Sequence, residues 1–547
     1  MASPGPIRTR AWRTSWTERG NGIRTRGGGE SCRQESPPDG QGFCSLNGAV
    51  LLFWRGCQDS SRGYRFPPGR GIPCSGGGMT MRVGFRRLPM MLLALGLTWC
   101  EVDEALASAD CVPATRVLET TRIRGPEGMV AVGDQLFFIV SSSTDWSLWK
   151  SDGTVSGTVR VEAIAPITAP GGPQALTEAR GLLFFSSQGV LWMSDGTASG
   201  THPVDVPQLT KAHPLREYRG RLLVLRPVPG SGDELWLTDG TVAGSRRILG
   251  TPPALVISSF PSSSVETESG DLVFRGEMVA DPGTPRLFRL TRSGALVELF
   301  RTSGSGVGIT QLTAVGDRVF FFTDELAQGE PSHLWSSDGS PGSAVLLRNF
   351  GLFAPPFGLT AFDGRLFFTA GAEDGPRGFE PWVSDGTPAG THPFVDIRPG
   401  DAGSLPTNMT VLGDRLYFVA DDGVHGRELW ETDGTATGTR LFIDIQPGAP
   451  SSFPYGLATG NGKLYFVADD GVHGSEPWKV FDGRPRRVAD IVPGSGSAPI
   501  EAGVGIFDAP GASFVRAGGF VYFLTASGET PDNALWSMKT GSYCPPR

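Results

Sequence analysis

A chain of 547 residues is long enough for three or four average domains or for one large repetitive one. Gly (77) and Pro (44) supply about a fifth of it, and charged residues are only 19 %, so the wealth of turn chemistry excludes a helical bundle. The formal net charge is −8 with only five Lys, which excludes a protein built to grip phosphate backbones regardless of sequence, and nucleic acid is not an expected partner.

Residues 1–80 are Arg-, Gly- and Ser-rich, hold four of the seven Cys (Cys32, Cys44, Cys57 and Cys74) and show no periodicity of either secondary-structure type. They read as a non-native or disordered extension. Residues 81–109 read as an export signal: Arg82, Arg86 and Arg87 precede the apolar run 88–99, which is too short to span a bilayer, and small residues from Ala105 to Ala109 offer cleavage sites. A signal this far inside suggests a start placed too far upstream, or an unusually long leader. Trp99 fills the position where lipidation at Cys100 would need a small residue. After cleavage Cys111 and Cys544 remain, and an even pair in an exported chain reads as a disulfide. Residues 110–547 then carry −14 and no transmembrane segment: an acidic domain, secreted or at the cell surface, or periplasmic, and expected to be a monomer.

The domain 110–547 is one repeat. The units 413–448 and 462–483 are near copies, and an aromatic step recurs at Trp149, Trp192, Trp236, Phe288, Trp335, Trp382, Trp430, Trp478 and Trp536, a period of about 48 residues. One unit reads as four short strands: Thr410–Leu412, Leu416–Ala420, Glu428–Thr432 and Arg440–Ile445. Strands such as Leu416–Ala420 are apolar on both faces, so each sheet must lie between two others. The fold expected is therefore all-β, a β-propeller of eight or nine four-stranded blades. The doubtful unit is 256–300, which lacks the Trp. The last unit lacks a fourth strand and 115–123 is an orphan strand, so the N-terminal strand is expected to complete the last blade. That would bring Cys111 and Cys544 to one seam.

The repeated ELWETDGT of 428–435, echoed at 148–154, 191–197, 234–241, 334–340 and 380–387, resembles the ELWxxDGT (hyalin-like) repeat family of bacterial secreted and surface proteins. The resemblance covers nearly all of 110–547 and implies an extracellular scaffold without assigned chemistry. Read from the residues, Asp152, Asp195, Asp239, Asp338, Asp385 and Asp433 are turn formers, and the Trp series packs between blades. The loops 420–428 and 468–476 place Asp421, Asp422 and Glu428, and Asp469, Asp470 and Glu476, as hard oxygen donors, a candidate calcium site; no other cofactor is expected. Four of the six His fall at two repeat-equivalent positions, and no nucleophile elbow, zinc-binding helix or phosphate loop is present. Carboxylates gather at Glu266, Glu268, Asp271, Glu277 and Asp281, which reads as a solvated acidic stretch. Variation concentrates in the loops joining second to third strands, among them 278–286, which share one propeller face. The expected function is a non-catalytic scaffold binding envelope or matrix polysaccharide or a surface protein through that face. The alternatives are a propeller polysaccharide lyase or hydrolase, or a structural adhesin component.

Overall fold

A computed structural model describes residues 41–46, 49–54 and most of 114–541; its internal breaks are 124–127, 170–171, 250–253, 258–263, 304–306, 326–331, 352–354, 372–377, 493, 499, 501–512 and 527–532. The chain divides into Met1–Met90 and Met91–Arg547. In the first unit Gln41–Leu46 pairs antiparallel with Ala49–Trp54 as a hairpin. No described helix is long and apolar enough to cross a membrane.

The second unit is a nine-bladed β-propeller. Blades 1 to 8 begin with the strands Met129–Val132, Gln174–Ala179, His213–Tyr218, Leu255–Ile257, Val307–Val315, Phe357–Phe362, Thr407–Leu412 and Tyr455–Gly460. Each is an antiparallel meander of four strands; in blade 4 the first strand is split, with Ser264–Glu266 continuing it. The repeat legible at 413–448 is realised as Thr407–Leu412, Arg415–Asp421, Arg427–Thr432 and Arg440–Ile443, within a few residues of the sequence expectation. The doubtful unit 256–300 is a full blade: Phe288 pairs with Phe274 as Trp430 pairs with Phe418, and its ring lies 5.9 Å from that of Phe274. Nine, not eight, is the blade number.

Blade 9 takes Val515–Ala517, Phe520–Ala526 and Asn533–Lys539 from the C-terminal end and Thr115–Ile123 from the N-terminal end. The last pairing sets Thr115 opposite Ser537 and Arg116 opposite Trp536. The tip of the same strand reaches blade 1, with Arg122 opposite Ser141. The orphan strand thus closes the ring, as expected; Cys111 and Cys544 lie outside the described residues.

Strand alternation explains why the ring is stable. On each second strand, successive residues point to opposite neighbours: Leu136, Phe138 and Val140 pack against blade 9, whereas Phe137 and Ile139 pack against blade 2. Nine apolar clusters follow, each filling one interface between adjacent blades, and the cluster of Val117, Leu524 and Leu535 with Met129 and Phe138 seals blade 9 to blade 1. With no wet sheet face, the continuous apolar runs of the second strands are what the architecture requires.

Candidate binding face

Each residue of the repeated motif has a separate mechanical task. The Leu of Leu-Trp faces the next blade and the Trp faces the preceding one: Leu148 belongs to the interface of blades 1 and 2, Trp149 to that of blades 9 and 1. The aromatic ring stacks on the residue opposite it across the hairpin, as Trp192 does on Phe185 (5.9 Å) and Trp536 on Phe523 (6.3 Å). Packing between blades is therefore what the Trp series does.

The Asp-Gly-Thr element closes the third-to-fourth-strand turn. In blade 7 Asp433 Oδ1 accepts the Thr435 N–H (2.9 Å) and Thr435 Oγ1 (2.7 Å), and Thr435 Oγ1 accepts the Gly438 N–H (2.9 Å). Beneath it the buried Thr432 hydroxyl accepts the Gly434 N–H and receives Thr439 Oγ1. The same bonds recur at Asp152, Asp195, Asp239 and Asp385, and Asp338 keeps the bond to the N–H two residues on. The neighbouring Thr hydroxyl and N–H hold the Asp152, Asp195, Asp385 and Asp433 carboxyls below their ordinary range. Gly434 sits at φ 89°, which favours glycine, and a Cβ at Gly438 would lie 2.1 Å from the Asp433 carboxylate. These aspartates are consumed by the turn.

The two acidic trios do not assemble as the calcium expectation supposed. Glu428 is fully buried and grips the loop that leaves its own blade, accepting the Ile445 N–H (3.0 Å), the Ser452 N–H (2.8 Å) and the Ser452 hydroxyl (2.5 Å). Glu380 does the same with Ile397 and Ser404, and Glu476 with the N–H groups of Ile491 and Val492. Burial pushes Glu380 and Glu428 upward, and Glu476, which receives no serine hydroxyl among the described residues, to about 7. Asp422 is bound to the N–H groups of Val424 and His425 and to His425 Nδ1 (2.7 Å); Asp470 repeats this with Val472 and His473. Asp421 pairs with Arg398 (2.5 Å) and accepts the Gly423 N–H, and Asp469 accepts the Gly471 N–H. Among the described residues no three His, Cys, Asp or Glu side chains are placed to hold a metal ion. The sequence reading missed this stapling; a Ser 24 residues after Glu380 and Glu428, followed by Leu-Pro or Phe-Pro, was its visible sign.

The acidic stretch of blade 4 is split between the two ends of the blade. Asp271 pairs with Arg289 and accepts the Arg292 N–H at the first turn, whereas Glu277 accepts the Gly283 N–H and Asp281 pairs with Arg286 at the far end. The long variable loop expected at 278–286 is instead a turn of Val279 and Ala280 between extended strands, with Met278 opposite Asp281.

The two propeller faces differ. The first-to-second-strand turns are two residues long in eight blades, the exception being 267–271 in blade 4. On the opposite face the second-to-third-strand connections range from two residues (188–189) to nine (371–379). On that second face, in blades 6 to 8, stand Val424 and Val472 (both 63 % exposed), Phe453 (61 %) and Leu405 (42 %). Phe453 and Leu405 hold φ of 46° and 47°, a conformation costing about 1–3 kcal/mol for a bulky side chain, and their N–H groups are tied to Arg427 and Phe379.

No protein-family model matches the chain, and no match is found among curated proteins. Solved structures similar to it include a puromycin hydrolase mutant complexed with PGG, 14 % identical over 78 % of this chain and 62 % of that one, TM-score 0.36. A prolyl endopeptidase structure is 14 % identical over 68 % and 59 % of the two chains, TM-score 0.34. The β-propeller domain of the Trilobed protease from Pyrococcus furiosus is 12 % identical over 59 % and 97 %, TM-score 0.29. The chain thus spans about three fifths of the length of the puromycin hydrolase and of the prolyl endopeptidase. Likenesses at this level carry nothing about activity to it.

Proposed function

We propose that this protein is an exported, non-catalytic β-propeller that binds envelope or matrix polysaccharide, or a surface protein, through the face carrying its variable second-to-third-strand loops. The observation that supports the reading is the contrast between the faces: one keeps nearly uniform two-residue turns, while the other varies from two residues to nine and displays apolar side chains in strained conformations. Scaffolding needs only the first pattern. The resemblance to ELWxxDGT repeats supports a cell-surface setting, and the export signal is consistent with it. The His and acidic residues singled out in the sequence are engaged in turns and loop staples, which leaves the loop tips as the variable chemistry.

The test is to incubate the purified protein with a panel of bacterial and soil polysaccharides and record both retention and released oligosaccharide. Retention without product, reduced by replacing Phe453 and Val472 with Ser, is the expected result. Released product would replace this reading with a propeller lyase or hydrolase. Retention dependent on added calcium would return the acidic loops to the role of metal ligands.

A further inference from the structure

The uniform-turn face changes character at blades 8 and 9. In blades 1, 2, 3, 5, 6 and 7 the third strand ends at the turn aspartate; by register, Phe481 takes that place in blade 8 and Lys539 in blade 9. Where the first turns of blades 5, 6 and 7 carry Asp317, Asp363 and Asp414, blade 8 has Asn461-Gly462 and blade 9 Gly518-Gly519. Across the sheet, blade 7 aligns Tyr417, Glu431 and Arg440, with Arg440 and Glu431 paired at 2.6 Å; blade 8 aligns Tyr465, Lys479 and Arg486. Acids of the repeat are removed and cations put in their place. Three of the chain's five lysines, Lys463, Lys479 and Lys539, lie here.

These groups are contiguous. Lys463 is buried, donates to the Thr540 carbonyl of blade 9 and lies 4.9 Å from the Phe481 ring, which is 40 % exposed. Arg484 stands opposite Phe481 in the hairpin. Near Lys463 is a shallow, open depression bordered by Val411–Gly413 of blade 7, whose lining includes Thr459, Asn461 and Arg516 and no Asp or Glu. Blade 8 ends its first strand on Gly460, where blades 5, 6 and 7 have Val315, Phe362 and Leu412, and the missing side chain lets the Arg516 stem of blade 9 pack against it: a Cβ at Gly460 would lie 3.2 Å from that stem. Arg484, Arg516 and Lys539 are exposed, and none pairs with a carboxylate among the described residues; Asp482 stays at the turn tip. Burial, and to a lesser degree the charges of Lys463 and Arg486, pulls the Lys479 ammonium down to about 8.

We infer that the blade 8–9 sector of the uniform-turn face is a binding site for carboxylate-bearing polysaccharide, with Arg484, Arg516 and Lys539 meeting the acid groups and Phe481 supplying an apolar platform for a sugar ring. A nucleic acid fits less well, because its dense phosphates would meet an overall charge of −8 beyond this small sector. The site lies on the opposite face from the variable loops and goes beyond the function proposed above.

The test measures binding of the full chain to polygalacturonate and to neutral dextran at low and moderate salt, for the parent, for Arg484→Glu/Arg516→Glu, and for Arg160→Glu/Arg301→Glu, which makes the same charge change elsewhere. The expected result is binding to polygalacturonate that weakens with salt and falls about tenfold or more in the first variant only, the scale of losing charge-assisted hydrogen bonds, with unfolding temperature unchanged. Equal loss in both variants would reduce the effect to net charge and overturn the site. No binding by the parent, or tighter binding to DNA than to polygalacturonate, would overturn the assignment of ligand class. Retention of neutral polysaccharides by the variable-loop face would be untouched by Arg484→Glu/Arg516→Glu, so the two readings fail separately.

Discussion

Replacing Glu476 with Gln should make the protein more stable at high pH, not less. The carboxyl is fully buried, receives the N–H groups of Ile491 and Val492, and is pushed up to about 7 from an ordinary 4.5. Because the folded value is raised, protonation stabilises the fold: the contribution is fully present below about pH 4.5 and is lost as pH rises through about 7. At about 1.4 kcal/mol per pH unit, the gap amounts to about 3 kcal/mol between pH 4 and pH 9. Gln is neutral throughout, but the two N–H groups bond separate carboxyl oxygens and its single carbonyl can keep only one of them, the amide NH2 facing the other. At a cost of about 1–2 kcal/mol for that lost bond, the variant should fall below the parent by no more than about 1–2 kcal/mol at pH 5 and exceed it by about 1–2 kcal/mol at pH 9. The assay is urea unfolding at both pH values followed by Trp fluorescence, with amide exchange at Ile491 and Val492 as the local reading. A variant weaker than the parent by more than about 1 kcal/mol at both pH values would refute the reasoning, since the ionised carboxylate would then be the working form.

Gly438→Ala drives a methyl into the Asp433 carboxylate and should cost about 1–3 kcal/mol, read as a lowered urea midpoint; a neutral result would mean the turn yields freely. Trp382, the most buried of the motif tryptophans, should cost about 3–5 kcal/mol when cut to Ala, by the same measurement. The turn aspartates have lowered folded values, so their contribution is present above the ordinary carboxyl range and is lost as pH falls through it; acid unfolding monitored by near-ultraviolet circular dichroism should begin below about pH 4. Val117→Asp places a charge in the seam between blades 9 and 1 and should produce a species that exposes apolar surface, detected by dye binding; an unaltered protein would refute the closure.

The repeat, its strands and the closing strand were legible because propeller blades are locally encoded: the period and the turn chemistry are written in each unit, and the doubly apolar second strands admit only neighbours on both faces. The blade count was left open by one unit because Phe288 for Trp hides the motif, although a phenyl ring fills the same place opposite Phe274. The site was harder to read. A carboxylate in a glycine-rich loop looks the same on paper whether it faces a cation or backbone N–H groups 15 to 24 residues away. Only the return of the outgoing loop to Glu428 and Glu476 decides between them. The cationic sector was invisible for a related reason: Lys463, Lys479, Phe481, Arg516 and Lys539 are spread over 77 residues and become neighbours only when blades 8 and 9 stack.

The closing strand has a consequence for synthesis. Thr115–Ile123 is made before every other strand of the ring but pairs with Asn533–Lys539, the last of them, so the ring cannot seal until all nine blades have been synthesised. Until then the orphan strand and the open apolar flank of blade 1 wait together, and any chain that ends before Asn533 retains both. A circular permutant that carried residues 114–123 after the last blade would let every blade complete itself in order, turning a long-range closure into a local hairpin without altering the finished ring.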